Sequence, residues 1–333
     1  LEQQIENQLA PQSVRCSIDL AAVHPEFLRR LKPHIFAYEL RACGNVVWGD
    51  QQILSLIPEF SGADIPLEDA WRLLCNRMIE HLEVATELAG RPEALTRSVR
   101  YRTVKLYLDM ATSFLVFAGA YEPTYRGRAE RLNALAADAQ TADGAPFALS
   151  EFSRRVSACT NFKLQANWDD PISGTGDRAF GITFWQEAVT HTRLLWRWEL
   201  ARLAGKRSGS LSDQDMMKTW MKIQPLKDRV RGWAHVLRKS GWHHSWRAWP
   251  RWLRLGSHAS PRYCVYAAAS ELFFQLPAVL GCVAPPDVGE DWGELRSWLP
   301  LHDQSLKPMD AGWDQVAAEI IVNYKQFLTD TRA

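Results

Sequence analysis

At 333 residues, with 47% apolar and 23% charged residues, the chain has the make-up of a globular protein with room for two or three domains. Its net charge of +1 removes any global electrostatic case for nucleic acid. The six cysteines (Cys16, Cys43, Cys75, Cys159, Cys264 and Cys282) are scattered and include no Cys-x-x-Cys pair. That pattern fits reduced thiols in a cytosol better than a disulfide scaffold or a zinc site. Residues 1–12 are polar and acidic and carry no secretory pattern, so the expected localisation is cytoplasmic.

Residues 13–23 alternate, with Val14, Cys16, Ile18, Leu20 and Ala22 on one face and Arg15, Ser17 and Asp19 on the other, the period of a half-buried strand. Residues 24–32 read as a short helical turn stopped by Pro33. Segments 36–41 and 46–49 flank Gly44-Asn45 and are expected to pair as a hairpin. After a loop through Gly62 the pattern becomes helical. Asp64, Pro66, Glu68 and Asp69 mark the start of a helix that runs toward Gly90. Its apolar face holds Leu67, Trp71, Leu74, Met78 and Leu82, and its polar face Asp69, Arg72, Asn76, Glu80, Glu83 and Glu87. Further helices near 93–120, 127–142 and 147–164 complete a bundle. Residues 169–178 are the best linker candidate, and helical patterning resumes at Phe180. The expected fold is mainly α: a small α+β region over 1–62, a helical bundle over 63–168, and a Trp/Arg-rich helical region over 179–333.

A strand with one carboxylate is followed by Tyr38-Glu39-Leu40-Arg41, a Gly-Asn turn, Val46-Val47-Trp48-Gly49-Asp50 and a helix carrying Trp71-Arg72 and Asn76-Arg77. This order resembles the back half of a polymerase-β-like nucleotidyltransferase domain running into its helical C-terminal domain. The likeness is strongest over residues 14–128. The Tyr121-Glu-Pro-Thr-Tyr125-Arg126 turn adds to it, because related proteins carry a similar Tyr-x-x-Ser/Thr-Tyr turn. The resemblance implies a remnant of the nucleotidyltransferase sheet at the N-terminus and a helical domain that helps bind the acceptor. It also implies transfer of a nucleotidyl group from a nucleoside triphosphate to a hydroxyl acceptor, with Mg²⁺ as cofactor. The family's Gly-Ser pair and Asp-x-Asp do not occur before Asp19. Whether the catalytic half lies outside this sequence or is absent stays open, and the chain alone is expected to be inactive.

Under the resemblance, Asp19 is the third carboxylate of the triad, a ligand for Mg²⁺ that positions or deprotonates the acceptor. Taken from the residues alone it is an exposed Asp on an edge strand. Arg72 and Asn76 lie one turn apart, and Arg102, Lys105, Asp109 and Ser113 form a stripe at i, i+3, i+7 and i+11. Arg72, Asn76, Arg102 and Lys105 are therefore candidate substrate-binding residues that could meet the triphosphate, and Asp109 a candidate base or acceptor-orienting residue. The same spacing also makes an ordinary inter-helix ion-pair network, because Lys105 and Asp109 are an i, i+4 pair.

The loop Ser173-Gly-Thr-Gly-Asp177 lacks the Gly-Lys-Ser/Thr ending of a phosphate loop and reads as linker. Residues 227–262 hold nine Lys/Arg against one Asp, interleaved with Trp233, Trp242, Trp246, Trp249 and Trp252. Three readings follow: Trp packed inward with arginines covering the rings, a peripheral membrane contact, or stacking on single-stranded nucleic acid or another charged polymer. The first is the expectation here, and no sequence-specific nucleic acid is expected as a partner. The alternative function is a non-catalytic helical scaffold that docks a partner or a membrane surface through residues 227–262.

Overall fold

The computed structural model describes residues 22–88, 95–165, 181–206, 211–240, 249–281, 292–301 and 312–327. In chain order the α-helices are α1 (Pro25–Arg29), α2 (Ile35–Cys43), α3 (Leu67–Ala85), α4 (Arg97–Phe117), α5 (Tyr125–Ala137), α6 (Ala139–Asp143) and α7 (Leu149–Leu164). They continue as α8 (Ile182–Leu203), α9 (Asp213–Ile223), α10 (Leu226–Ser240), α11 (Trp249–His258), α12 (Pro261–Val279), α13 (Gly293–Trp298) and α14 (Trp313–Phe327). The described residues are mainly helical and contain no strand. The expected strand over 13–23, and Asp19 with it, lies outside the described residues apart from its last two positions, which are irregular.

The expected hairpin is corrected. Segment 36–41 lies inside α2. His34 caps that helix, its Nδ1 accepting from the Ala37 amide at 3.1 Å, while Asp69 of α3 accepts from the Ile35 amide at 2.9 Å. Glu39, Leu40, Arg41 and Ala42 favour helix, and together with these caps they outweigh the β preference of Phe36 and Tyr38. Gly44 is the helix stop rather than a hairpin turn. A Cβ there would lie 2.3 Å from the Leu40 carbonyl oxygen, so the exit of the chain requires glycine.

Helices α3 and α4 pair at the centre of the fold. The apolar face of α3 buries Trp71, Leu74, Met78 and Leu82 as its periodicity implies, whereas Leu67 is left exposed. Helices α12, α14 and α8 pack on α3, and α5, α7 and α8 on α4. Residues on both sides of 169–178 thus share one core, in which Trp71, Tyr107, Phe114, Trp185, Trp196 and Phe273 are almost fully buried. Trp71 stands edge-on to Tyr266, with centroids 5.6 Å apart, and to Trp220 at 6.2 Å. Among the described residues no helix is long and apolar enough to cross a membrane.

A histidine and a glutamate are among the titratable groups sealed in this core. His81 accepts a 2.9 Å hydrogen bond at Nε2 from Trp185 Nε1 and packs edge-on against Phe273. Burial, aided by the charges of Arg102 and Arg77, pushes its pKa down to about 3. Glu199 accepts from Ser113 Oγ at 2.6 Å, and its other oxygen has no partner among the described residues. Burial raises its pKa to about 8, against the opposing pull of the Ser113 hydrogen bond and Arg202.

These shifts act on stability in opposite directions. The folded state keeps the Glu199 proton that the unfolded chain gives up, so this contribution is full below pH 4.5 and lost as pH rises toward 8. His81 binds its proton only in the unfolded chain, so its contribution is full above pH 6.5 and lost as pH falls toward 3. Glu199→Gln removes the first dependence alone. Thermal melts should show the variant more stable than wild type at pH 8, with the gap closing toward pH 4.5. A gap of equal size at every pH would contradict the assignment of Glu199 as a buried neutral acid.

Candidate functional site

The polar face of α3 is a belt of Glu68, Arg72, Asn76, Glu80 and Glu83, spaced three or four residues apart along one side of the helix. At its N-terminal end Arg72 pairs with Glu68 and donates to the Tyr263 hydroxyl at 2.9 Å. One turn on, Asn76 Oδ1 accepts from Tyr266 at 2.7 Å. Both tyrosines belong to α12. At the C-terminal end the partners come from α4: Arg102 donates to the Glu80 carbonyl at 3.1 Å and to Glu83 Oε2 at 3.0 Å. Arg77, its side chain only 9% exposed, donates to Asp109 at 2.5 Å and pairs with Glu80. Lys325 of α14 closes the far edge, 3.1 Å from Glu83.

The belt therefore divides five of the six candidate residues. Arg102, Lys105 and Asp109 gather around Arg77 and Glu80, whereas Arg72 and Asn76 are engaged by the α12 tyrosines. Ser113 leaves the stripe altogether and meets Glu199 on α8. Asp19 lies outside the described residues. Arg77 stays charged against the burial that opposes it, because Asp109 and Glu80 hold its pKa above the ordinary value.

Lys105 is the cation held least tightly, with its nearest carboxylate, Glu80, 3.8 Å away. Burial and the neighbouring Arg77 charge push its pKa down. Beside it stands Tyr101, one turn earlier on α4. Lys163 of α7 donates to the Tyr101 hydroxyl at 3.0 Å and lies 4.9 Å from the ring centroid, with Lys105 at 5.8 Å. Burial raises the Tyr101 pKa, but the Lys163 hydrogen bond and the two ammonium charges outweigh it, and the phenol is held below its ordinary value. The result is a partly open edge of two ammonium groups and an acidified phenol next to Asp109, suited to an anionic group. Tyr101 is readable in the sequence as the i−4 neighbour of Lys105. Lys163 is contributed by a different helix and carries no such signal.

A second constellation joins two motifs far apart in sequence. Glu39 of α2 accepts from the Tyr121 hydroxyl at 2.6 Å and from Arg128 of α5 at 2.6 Å, and Arg128 also donates to Tyr121 at 2.9 Å. The Arg128 guanidinium stacks on Tyr125, 4.6 Å from the ring centroid. Thr124 caps α5 by accepting from the Gly127 amide at 3.0 Å, which presents Tyr125 and Arg128 to α2.

Among the described residues no three His, Cys, Asp or Glu side chains gather as a metal site, and Asp109 is committed to Arg77. The residues described here therefore do not fit a magnesium site. Asp213-Gln-Asp215 has Asp-x-Asp spacing, but it opens a helix. Asp213 is neutralised by Arg193 and Arg197, and Asp215 pairs with the capping Ser212. Comparison with protein-family models, curated proteins and solved structures returned no match.

The Glu39–Tyr121–Arg128 lock should carry stability. Arg128→Met leaves Glu39 without its cation, at a cost of about 3 kcal/mol, and Tyr121→Phe costs about 1 kcal/mol. Urea denaturation measures both as shifts in midpoint at unchanged slope. If both variants keep the wild-type midpoint, α2 is not anchored through this triad.

Proposed function

We propose that the chain is the acceptor-side, helical part of a nucleotidyltransferase-like protein. In complete form such a protein transfers a nucleotidyl group from a nucleoside triphosphate to a hydroxyl, with Mg²⁺. The observation that carries the reading is the contact of Glu39, in Tyr38-Glu39-Leu40-Arg41, with Tyr121 of the Tyr121–Arg126 turn and with Arg128 just after it, which joins two of the segments that carry the likeness. Further support comes from Val47 and Trp48, 95% and 92% exposed, which offer apolar surface in the part of the chain that the resemblance assigns to the nucleotidyltransferase region. On this reading Lys105, Lys163 and Tyr101 meet phosphate oxygens by charge-assisted hydrogen bonds, and Asp109 keeps Arg77 in place beside them. Mg²⁺ would need Asp19 and further carboxylates beyond the described residues, so no catalytic step is assigned to it.

A second reading has one observation in its favour: the ion pairs of α3 and α4 are mutually satisfied, as in a network that sets helix packing. The chain is then a non-catalytic scaffold that docks a partner through its basic helices.

Calorimetric titration with ATP, GTP, CTP and UTP in the presence of Mg²⁺ separates the two. The first reading expects weak binding that does not discriminate among the bases and falls about tenfold in Lys105→Met, the loss of one charge-assisted contact. No detectable binding by the wild-type chain would remove the first reading. Tight, base-selective binding that survives both Lys105→Met and Asp19→Ala would mean that the site lies elsewhere.

A further inference from the structure

Helices α10 and α11 carry a charge that the rest of the chain does not. Their sequences hold seven Lys/Arg against one Asp, a local charge of +6 in a chain of net charge +1. They meet through their aromatic residues. Trp233 and Trp252 are buried with ring centroids 6.2 Å apart. Trp233 donates to the Ala259 carbonyl and Trp252 to the Pro300 carbonyl, each at 2.8 Å. A Cβ on Gly256 would lie 3.2 Å from the Trp233 ring, so glycine allows α11 to approach this closely.

Aliphatic side chains of both helices nevertheless stay exposed, and on α10 they continue the stripe of Trp233 at i−3 and i−7. Leu226 and Val230, one turn apart on α10, are 65% and 60% exposed, and Leu253 on α11 is 74% exposed. Each is followed directly in sequence by a cation, Lys227, Arg231 and Arg254, and all three cations are exposed. Aliphatic residues flanked by Lys and Arg on a solvent-facing helix side are the pattern of a helix that lies in a headgroup layer.

We propose that the exposed residues of α10 and α11 dock on an anionic lipid surface, with Leu226, Val230 and Leu253 entering the acyl boundary and Lys227, Arg231 and Arg254 meeting lipid phosphates. The positive charge selects an anionic partner, and the apolar residues select lipid over nucleic acid. Single-stranded nucleic acid needs several outward aromatic rings on which successive bases stack, whereas Trp233 and Trp252 face the core and, of the described Trp residues on these helices, Trp249 alone is exposed, at 36%. The inference deepens the scaffold reading by naming its partner, and it is independent of nucleotide binding.

The test is flotation of the full chain with vesicles of phosphatidylcholine alone and with about a third phosphatidylserine, at physiological and at high salt. Expected are co-flotation with the anionic vesicles only, its release by salt, and at least about a tenfold loss of partition in Leu226→Asp/Val230→Asp at an unchanged melting temperature. If the aspartates lower the melting temperature, Lys227→Gln/Arg231→Gln tests the electrostatic half and should weaken flotation comparably. Absence of flotation, equal flotation with neutral vesicles, or partition unaffected by these variants overturns the proposal. Binding to a single-stranded oligonucleotide without flotation also overturns it, while leaving the scaffold reading in place.

Discussion

One buried charge constrains the arrangement of this fold. Arg77 lies on α3 where α4 crosses it, and a guanidinium so deeply buried is tolerated only with its donors satisfied. Asp109 and Glu80 satisfy them. Glu80 and Glu83 in turn draw Arg102 from α4, and Glu83 draws Lys325 from α14. The relative rotation of α3, α4 and α14 is thereby set by matching charges as well as by apolar area. The same belt, continued toward the start of α3, meets Tyr263 and Tyr266 and fixes the face that α12 presents.

The C-terminal basic helices use a different device. Arg251 is half-buried, and its guanidinium donates to the carbonyls of Leu299 and Arg296 at the end of α13, so one of the many cations is spent on capping backbone. Burial and the nearby Arg254 charge push its pKa down to about 10. The indoles are likewise satisfied on carbonyls, which lets Trp233 and Trp252 pack as core residues with their N–H groups paired. Arg251, Trp233 and Trp252 thus serve packing, while Lys227, Arg231 and Arg254 stay exposed.

Much of the helical architecture was legible from period and punctuation. The apolar face of α3 follows the 3.6-residue spacing, and the helix starts where Pro66, Glu68 and Asp69 mark it. The α2 helix was not legible, because Phe36 and Tyr38 alternate as a strand would. The deciding contacts, Asp69 to the Ile35 amide and Glu39 to Arg128, come from residues 34 and 89 positions away. Of the i, i+3, i+7, i+11 stripe of α4, Arg102, Lys105 and Asp109 meet Arg77 and Glu80, while Ser113 turns to Glu199. The stripe itself could not show that the counterions are Glu80 and Arg77, nor that Arg72 and Asn76 turn to α12. Those assignments depend on how helices rotate against one another, which periodicity on a single helix does not specify.

The central claim is that Arg77 and Asp109 act as one structural unit while Lys105 remains available at its edge. A double-mutant cycle on unfolding free energy tests this directly, using Arg77→Met, Asp109→Asn and the pair, with Lys105→Met as the comparison. The account predicts single costs of about 3 kcal/mol for Arg77→Met, a coupling energy of about 2 kcal/mol or more between the two sites, and less than about 1 kcal/mol for Lys105→Met. Additive effects at Arg77 and Asp109, together with a Lys105→Met cost as large as theirs, would contradict it.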